Sequence, residues 1–414
     1  MKSRFLYYGK WTAIALAIGI LAGTASAWFL HSLDWATHTR EEYSQLLWFL
    51  PIAGFAVGWV YHRFGKSVER GNNLIIDEIH SPQTQVPLRM TPLILAGTVL
   101  THLFGGSAGR EGTAVQMGAS LADQITRVLK LGPDDRRTLL MAGMSAGFGS
   151  VFGVPLAGTL FGMEALTVGR VDLRKVWECM VASFVGHYVC LAWGVHHSHY
   201  ASPSVAPLTP TSVLMIGAAG IAFGLVATIF TFLQHETVKQ FKTYIAYPPL
   251  RPLIGGGIVV FVYFMLGTNR YAGLGVPIIQ DSLLHPLPPT DFAWKTMLTA
   301  LTLGSGFKGG EVTPLLFIGA TLGNALAVIL TLPLSLLAAV GFVAVFAGAA
   351  NTPWACALMA IEIFGPQVGV YALIGCWVSF FCSGQSGIYS AQKTSKHKRH
   401  RLHKVLRLRG KSRV

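Results

Sequence analysis

Apolar residues dominate long stretches of the chain, at 11–30, 47–61, 139–168, 176–195, 212–233, 250–266, 313–349 and 353–382. Several reach the roughly 20 residues that a helix needs to cross a hydrocarbon core. The pattern predicts an all-α polytopic membrane protein. Other stretches are shorter or are cut by glycine, as in "THLFGGSAGREGTAV" at 101–115. Such interruptions predict broken helices whose ends lie at membrane depth, an arrangement transporters use to offer backbone to an ion.

Composition agrees with that pattern. Only 12% of residues are charged and the mean hydropathy is +0.51, whereas a soluble chain carries about 25% charged residues. The net charge of +14 would suggest nucleic acid, but ten of the 32 Lys and Arg follow residue 390. They read as a basic tail at 391–414, cytoplasmic by the positive-inside rule and facing anionic lipid. No nucleic-acid partner is expected. Lys2, Arg4 and Lys10 place the N-terminus on the cytoplasmic side too. Ala25-Ser26-Ala27 resembles a signal-peptidase site, but its apolar run is long for a leader and many further segments follow. Cys179, Cys190, Cys356, Cys376 and Cys382 lie in or beside apolar runs without metal-ligand spacing, and read as small buried hydrophobes. His196, His197 and His199 read as a solvated loop cluster. There is no P-loop, metal-ligand spacing or nucleophile elbow, so neither enzyme chemistry nor a cofactor is expected.

The polar connection "HSHYASPSVAPLTPTS" at 197–212 divides the chain, giving halves at 1–205 and 206–390. The halves resemble each other. "FGSVFGVPLAGTLFGMEAL" at 148–166 aligns without gaps on "FAGAANTPWACALMAIEIF" at 346–364, matching Pro155 with Pro353 and Glu164 with Glu362. Upstream of each lies a glycine-rich break with a base and an acid, "GSAGREGT" at 106–113 and "GSGFKGGEVT" at 304–313, followed by "GASLA" and "GATLG". Each break contains Glu-x-Thr, as Glu111 with Thr113 and Glu311 with Thr313. Repeats of this kind build secondary transporters, with the site at their interface.

Each break runs into an apolar helix and so presents a helix N-terminus, with Pro314 suited to a first turn. Free amide hydrogens and the positive end of the dipole make such a terminus an anion site. Two of them, one per half, predict an anion path. Glu111 is itself an anion when ionised; it occupies such a site in that form and leaves it when protonated, so it serves as gate and as proton carrier. The competing reading is a structural ion pair with Arg110.

"GREG" before an apolar helix, "GVPLAGTLFGMEAL", "GGEVTPLLFIGA" and "FAGAANTPWACALMAIEIF" together resemble the CLC superfamily of chloride channels and proton-coupled exchangers, over roughly residues 10–390. The resemblance implies a fold of two inverted repeats with broken helices. It implies a homodimer in the cell (inner) membrane, one pore per subunit, with Glu111 as the gating glutamate. Departures from chloride-handling members narrow it. Thr113 stands where they have proline, Asn72 in "RGNNLIIDEIH" where they have a serine, and Glu311, Val312 and Thr313 where they have apolar residue, Phe and Ala. Ala165 stands at the place of the exchangers' inner glutamate.

These departures resemble the fluoride-selective CLC-F branch, which exports fluoride in exchange for protons. By that resemblance Glu311 and Thr313 help to hold Glu111 or the ion, and Tyr389 in "SGIYSAQ" closes the inner side of the central site. Fluoride is small and strongly hydrated, so its site needs compact donors: the Asn72 amide, the Thr313 and Tyr389 hydroxyls, and amide hydrogens near Val312. Structural readings stand beside these. Asn72 suits a helix N-cap, and Tyr389 suits an interfacial belt. Glu164 and Glu362 read as structural acceptors rather than proton carriers. Asp77, Glu78 and His80 read as a solvated helix end or an entry vestibule. A chloride-moving member is the functional alternative, against which Asn72, Glu311 and Ala165 speak. A non-transporting scaffold has no use for two glutamates inside glycine-rich breaks.

Overall fold

The structure is a computed structural model and describes residues 2–394. The basic tail expected at 391–414 therefore lies, from residue 395 onward, outside the described residues. The first half holds α1 (Lys2–Glu42), α2 (Leu50–Phe64), α3 (Asn72–His80), α4 (Met90–Leu103), α5 (Glu111–Val128), α6 (Pro133–Phe152), α7 (Pro155–Glu164) and α8 (Val176–Ala192). The second holds α9 (Pro210–Tyr244), α10 (Leu250–Leu266), α11 (Val276–Ser282), α12 (Asp291–Ser305), α13 (Val312–Leu326), α14 (Leu334–Ala350), α15 (Pro353–Phe364) and α16 (Gly369–Cys382). Two short strands, β1 (Thr167–Val168) and β2 (Lys393–Thr394), pair in parallel.

Local chemistry sets these boundaries. Pro133, Pro155, Pro210 and Pro353 open helices, where their missing N–H costs nothing. Gly153, Gly267 and Gly306 follow helix ends in the left-handed conformation that favours glycine. Among the described residues, three helical stretches are long and apolar enough to cross a membrane, Leu6–Glu42, Ser44–Phe64 and Pro210–Tyr244, and shorter apolar helices accompany them. Large apolar side chains such as Trp28, Ile52, Phe232 and Phe261 stand exposed on these outer helices, which is the surface a bilayer covers. Residues 25–27 pack inside α1, where Ser26 accepts from the Ser150 hydroxyl at 2.7 Å. Four of the five cysteines are buried and Cys382 is partly so.

The repeats are inverted. Both oxygens of Glu362, at the end of α15, accept from the Leu156 and Ala157 amides at 2.8 Å, at the start of α7. Both oxygens of Glu164, at the end of α7, accept from Trp354 and Ala355 at 3.1 and 2.7 Å, at the start of α15. Each glutamate thus caps the other's helix, which requires the two helices to run antiparallel about a two-fold axis. These carboxylates are structural acceptors. Glycine pairs repeat the same relation. Gly118 of α5 meets Gly143 of α6 as Gly319 of α13 meets Gly341 of α14, too close in each case for a Cβ.

The register that matches Gly118 with Gly319 corrects the Glu-x-Thr correspondence. Glu111 is the first residue of α5, but Glu311 precedes α13 as its N-cap. Hence Glu311 is equivalent to Arg110, Val312 to Glu111, and Thr313 to Gly112. The shared Glu-x-Thr spelling is offset by one position between the halves.

Asp77, Glu78 and His80 do not form one solvated helix end. Asp77 pairs with Arg70 at the surface, and His80 bonds the Leu166 carbonyl at 2.8 Å. Glu78 is buried and meets Arg136, whose guanidinium also grips Asp123 through two bonds of 2.8 Å. Both carboxylates also accept backbone amides, Gln83 and Thr84 on Glu78 and Val86 on Asp123. The cluster therefore clamps the α3–α4 loop. Removing Arg136 leaves two buried carboxylates without their cation, a loss of about 3–5 kcal/mol. Arg136→Ala is expected to lower the midpoint of thermal unfolding in detergent steeply, with Arg136→Lys intermediate; an unchanged midpoint would mean that the cluster is not a clamp.

Candidate functional site

The two glycine-rich breaks meet at the centre of the molecule. Gly109 donates to the Gly310 carbonyl at 2.6 Å, and Gly310 donates back to the Gly109 carbonyl at 2.8 Å. This bridge sets the starts of α5 and α13 side by side. A side chain has no room here: a Cβ on Gly109 falls 2.9 Å from the Gly310 oxygen, and one on Gly310 falls 2.8 Å from the Gly112 nitrogen.

Glu111 occupies the point where the helix ends converge and is fully buried. The Thr313 amide donates to its Oε2 at 3.1 Å, and the Thr313 hydroxyl lies 2.7 and 2.6 Å from its two oxygens. The carboxylate of one repeat is thus held by the first turn of the other repeat's helix, an anion at a helix N-terminus. The Arg110 contact is weaker: its Nε lies 3.4 Å from Oε1 and makes no hydrogen bond. The ion pair given as the competing reading is thus present, with the Arg110 amide also donating to Oε2 at 3.3 Å, while the Thr313 hydroxyl makes the shorter bonds. Thr113 bonds Thr98 of α4 at 2.8 Å instead of joining the carboxylate.

Cavities approach this point from both sides. One, of about 640 Å³, opens at the end of the molecule opposite the N-terminus and is lined by His31, Arg40, Arg110, His197 and Arg270. His197 is not simply solvated. It stacks on His187 at 5.5 Å, and neither of its ring nitrogens has a partner. Burial, then Arg110, pushes its imidazole down to about 4, so it is neutral at ordinary pH. The other cavity, of about 130 Å³, lies on the N-terminal side and is lined by Asn72, Gln116, Gln234, Lys308, Glu311 and Tyr389.

Three of the six site residues expected from the sequence, Asn72, Glu311 and Tyr389, line this second cavity. Asn72 is not the N-cap of α3; Gly71 is, and Asn72 is the first helical residue. Its Oδ1 is buried without a partner, and its Nδ2 lies 3.2 Å from where a Cβ on Gly112 would sit. That puts its amide against the residue following Glu111. Tyr389 is buried with its ring edge-on to Phe161, so it is no interfacial belt residue. Val312 is buried at the first position of α13, and Thr313 holds Glu111 directly. Glu311 makes no hydrogen bond to Glu111 and takes one of 3.1 Å from Gln234 Nε2. Ala165 is buried, and its carbonyl accepts from Gln392.

Gln234 and Gln116 are the residues that sequence reasoning missed. Gln234 sits on the buried face of α9, in the apolar run "IFTFLQHE". A long amide inside a membrane helix was the available signal, since such groups are retained where a partner needs them.

Residues 53–384 match the family described as voltage gated chloride channel. The chain is 53% identical over 401 residues to the chloride/fluoride channel protein of Pseudomonas syringae pv. tomato, covering 95% of this chain and 89% of that one. It is 26% identical over 385 residues to the H(+)/Cl(-) exchange transporter ClcA of Vibrio vulnificus, covering 84% of this chain and 81% of that one. Among solved structures, a CLC-type fluoride/proton antiporter superposes with a TM-score of 0.91 at 35% identity, covering 94% of this chain and 98% of that one.

The bridge between the breaks makes a testable demand on packing. In Gly310→Ala the new methyl meets backbone, which cannot move aside, and overpacking of this kind costs about 1–3 kcal/mol. Gly257, with nothing within 4 Å of an added Cβ, is the control. Thermal unfolding is expected to shift down for Gly310→Ala and to hold or rise for Gly257→Ala. Equal midpoints for the two variants would show that the bridge tolerates a side chain.

Proposed function

The chain belongs to the voltage gated chloride channel family, and from that premise we propose that it is a multi-pass membrane antiporter exporting fluoride in exchange for protons. The observation that carries the proposal is Glu111, buried between two cavities with its carboxylate on the Thr313 amide and hydroxyl. Those donors suit any compact anion. When Glu111 is ionised, its carboxylate satisfies them and blocks the path. When it is protonated, it releases them, and a fluoride ion takes its place at the N-terminus of α13.

Proton coupling follows from the same exchange. One carboxyl group alternates between an ionised state inside the path and a protonated state as it moves, so proton and anion travel in opposite directions. Ala165 offers no second proton acceptor. Glu111 therefore carries the proton alone, and Glu311, held by Gln234, stays on the inner side as a fixed partner.

Fluoride is favoured over chloride by the lining. Asn72, Gln116, Gln234 and Tyr389 supply hydrogen-bond donors in a space of only about 130 Å³. Such donors replace the shell of a small, strongly hydrated anion, and a larger, weakly hydrated one gains less from them. The names of the similar proteins support both halves of this reading, one pairing chloride with fluoride and one pairing fluoride with protons. Chloride transport is the alternative, supported by the ClcA relative. The unstructured connection between α8 and α9 supports halves at 1–205 and 206–390. Exposed Leu156 and Trp354, on the cross-capped helices α7 and α15, support a homodimer with one pore per subunit. In this reading the protein lies in the inner membrane with both termini cytoplasmic.

Purified protein in liposomes provides the test. Under an imposed proton gradient, fluoride efflux is expected to be much faster than chloride efflux; equal rates would return the protein to the chloride reading. Thr313→Ala removes one hydroxyl from the carboxylate, a net loss of about 1 kcal/mol. It is expected to slow fluoride efflux by roughly fivefold with the fold intact. Wild-type flux in that variant would remove Thr313 from the site.

A further inference from the structure

A third cavity, of about 880 Å³, lies on the N-terminal side, away from the path. It is bounded by the end of α3, the start of α6, the end of α7, the loop after β1, and β2. We propose that it binds a phosphate-bearing anion, a function independent of the transport reading.

Charge is the first argument. Five cations line the cavity, Arg137, Arg170, Arg174, Lys175 and Lys393, against two acids. Both acids are already engaged, Asp172 by two bonds from Arg174 at 2.7 and 2.8 Å and Asp134 by Arg137 at 3.4 Å. The Arg174 guanidinium holds the Asp172 carboxyl below the usual range, so it stays an anion on its own partner. Positive charge is left over.

An unused donor is the second argument. Arg137 Nε is buried and has no hydrogen-bond partner, while the same guanidinium donates through its other nitrogens to the His80 carbonyl and Asp134. A buried donor without an acceptor costs about 1–3 kcal/mol, and an anion in the cavity would supply the acceptor. Guanidinium groups match the planar oxygen pairs of phosphate better than a point cation does.

Size and lining give the class of ligand. The volume falls in the range of about 300–1,000 Å³ typical of small-molecule sites. Met141, Met163, Leu166 and Val171 provide an apolar wall beside the cations, which suits a phosphate with an organic group attached. The chain's own C-terminal sequence is a poor occupant. After residue 390 it contains ten Lys and Arg and no Asp or Glu.

Two sources share this chemistry, a phospholipid headgroup and a soluble phosphoester. The full chain in neutral detergent distinguishes them, with short-chain phosphatidic acid, glycerol phosphate and inorganic phosphate as separate probes. Binding is read by native mass spectrometry and by the shift in thermal unfolding. Wild-type protein is expected to bind phosphatidic acid or a soluble phosphate, and Arg170→Gln with Lys393→Gln to weaken it at least tenfold with an unchanged unliganded midpoint. Arg137→Gln is expected to weaken it as well. Stabilisation by phosphatidic acid alone assigns a headgroup site; stabilisation by glycerol phosphate or inorganic phosphate assigns a soluble ligand. The exposed Lys239→Gln is the control for diffuse attraction. No binding of any probe, or equal loss in the Lys239→Gln control, would overturn the proposal.

Discussion

Two reciprocal hydrogen bonds between Gly109 and Gly310 hold the molecule's centre together. They join the repeats through backbone alone, where both segments have left the helix inside the protein. Backbone groups at membrane depth must find partners inside the protein, and each break supplies the partner of the other. With that bridge made, α5 and α13 begin within one residue of each other's reach, and the side chain at the start of α5 falls on the amide and hydroxyl of Thr313. The placement of Glu111 is a consequence of the bridge.

Four glutamates at the repeat interface divide into two kinds. Glu164 and Glu362 each satisfy two orphan amides of the opposing helix, so their charge is fully committed. Glu111 and Glu311 are held partly or wholly by side chains. One rests on a threonine, and the other takes a single hydrogen bond from Gln234, whose Oε1 is left without a partner. The same residue type is fully committed where two amides of an opposing helix start take both its oxygens, and less so where side chains share the work. Arg136 follows the same rule at the molecule's edge, where complete pairing of Asp123 and Glu78 fixes a loop.

Much of this was legible in the sequence. Glycine-rich breaks and repeated prolines are local signals, and they predicted the interrupted helices, the two halves and the carboxylate at the break. The identity of Glu164 with Glu362 was visible too, though their reciprocal capping depends on how α7 and α15 cross. Glu-x-Thr misled because short spellings recur by chance in small-residue sequence, whereas the glycines of the α5–α6 and α13–α14 crossings are pinned by steric contact. The cap offered as an alternative for Asn72 fails because Gly71 takes the N-cap place one residue earlier. Gln234 and the Glu78–Arg136–Asp123 cluster join elements far apart in the chain, so nothing near them in sequence names the partner.

The central claim is that one carboxyl group, Glu111, is both the gate and the proton carrier. Its most direct test is proton movement driven by a fluoride gradient across liposomes containing Glu111→Gln, a change that keeps the size and removes the titration. The account predicts that fluoride-driven proton movement vanishes, whether or not fluoride itself still leaks. Proton movement at the wild-type ratio to fluoride in that variant would contradict it, since another group would then be carrying the proton.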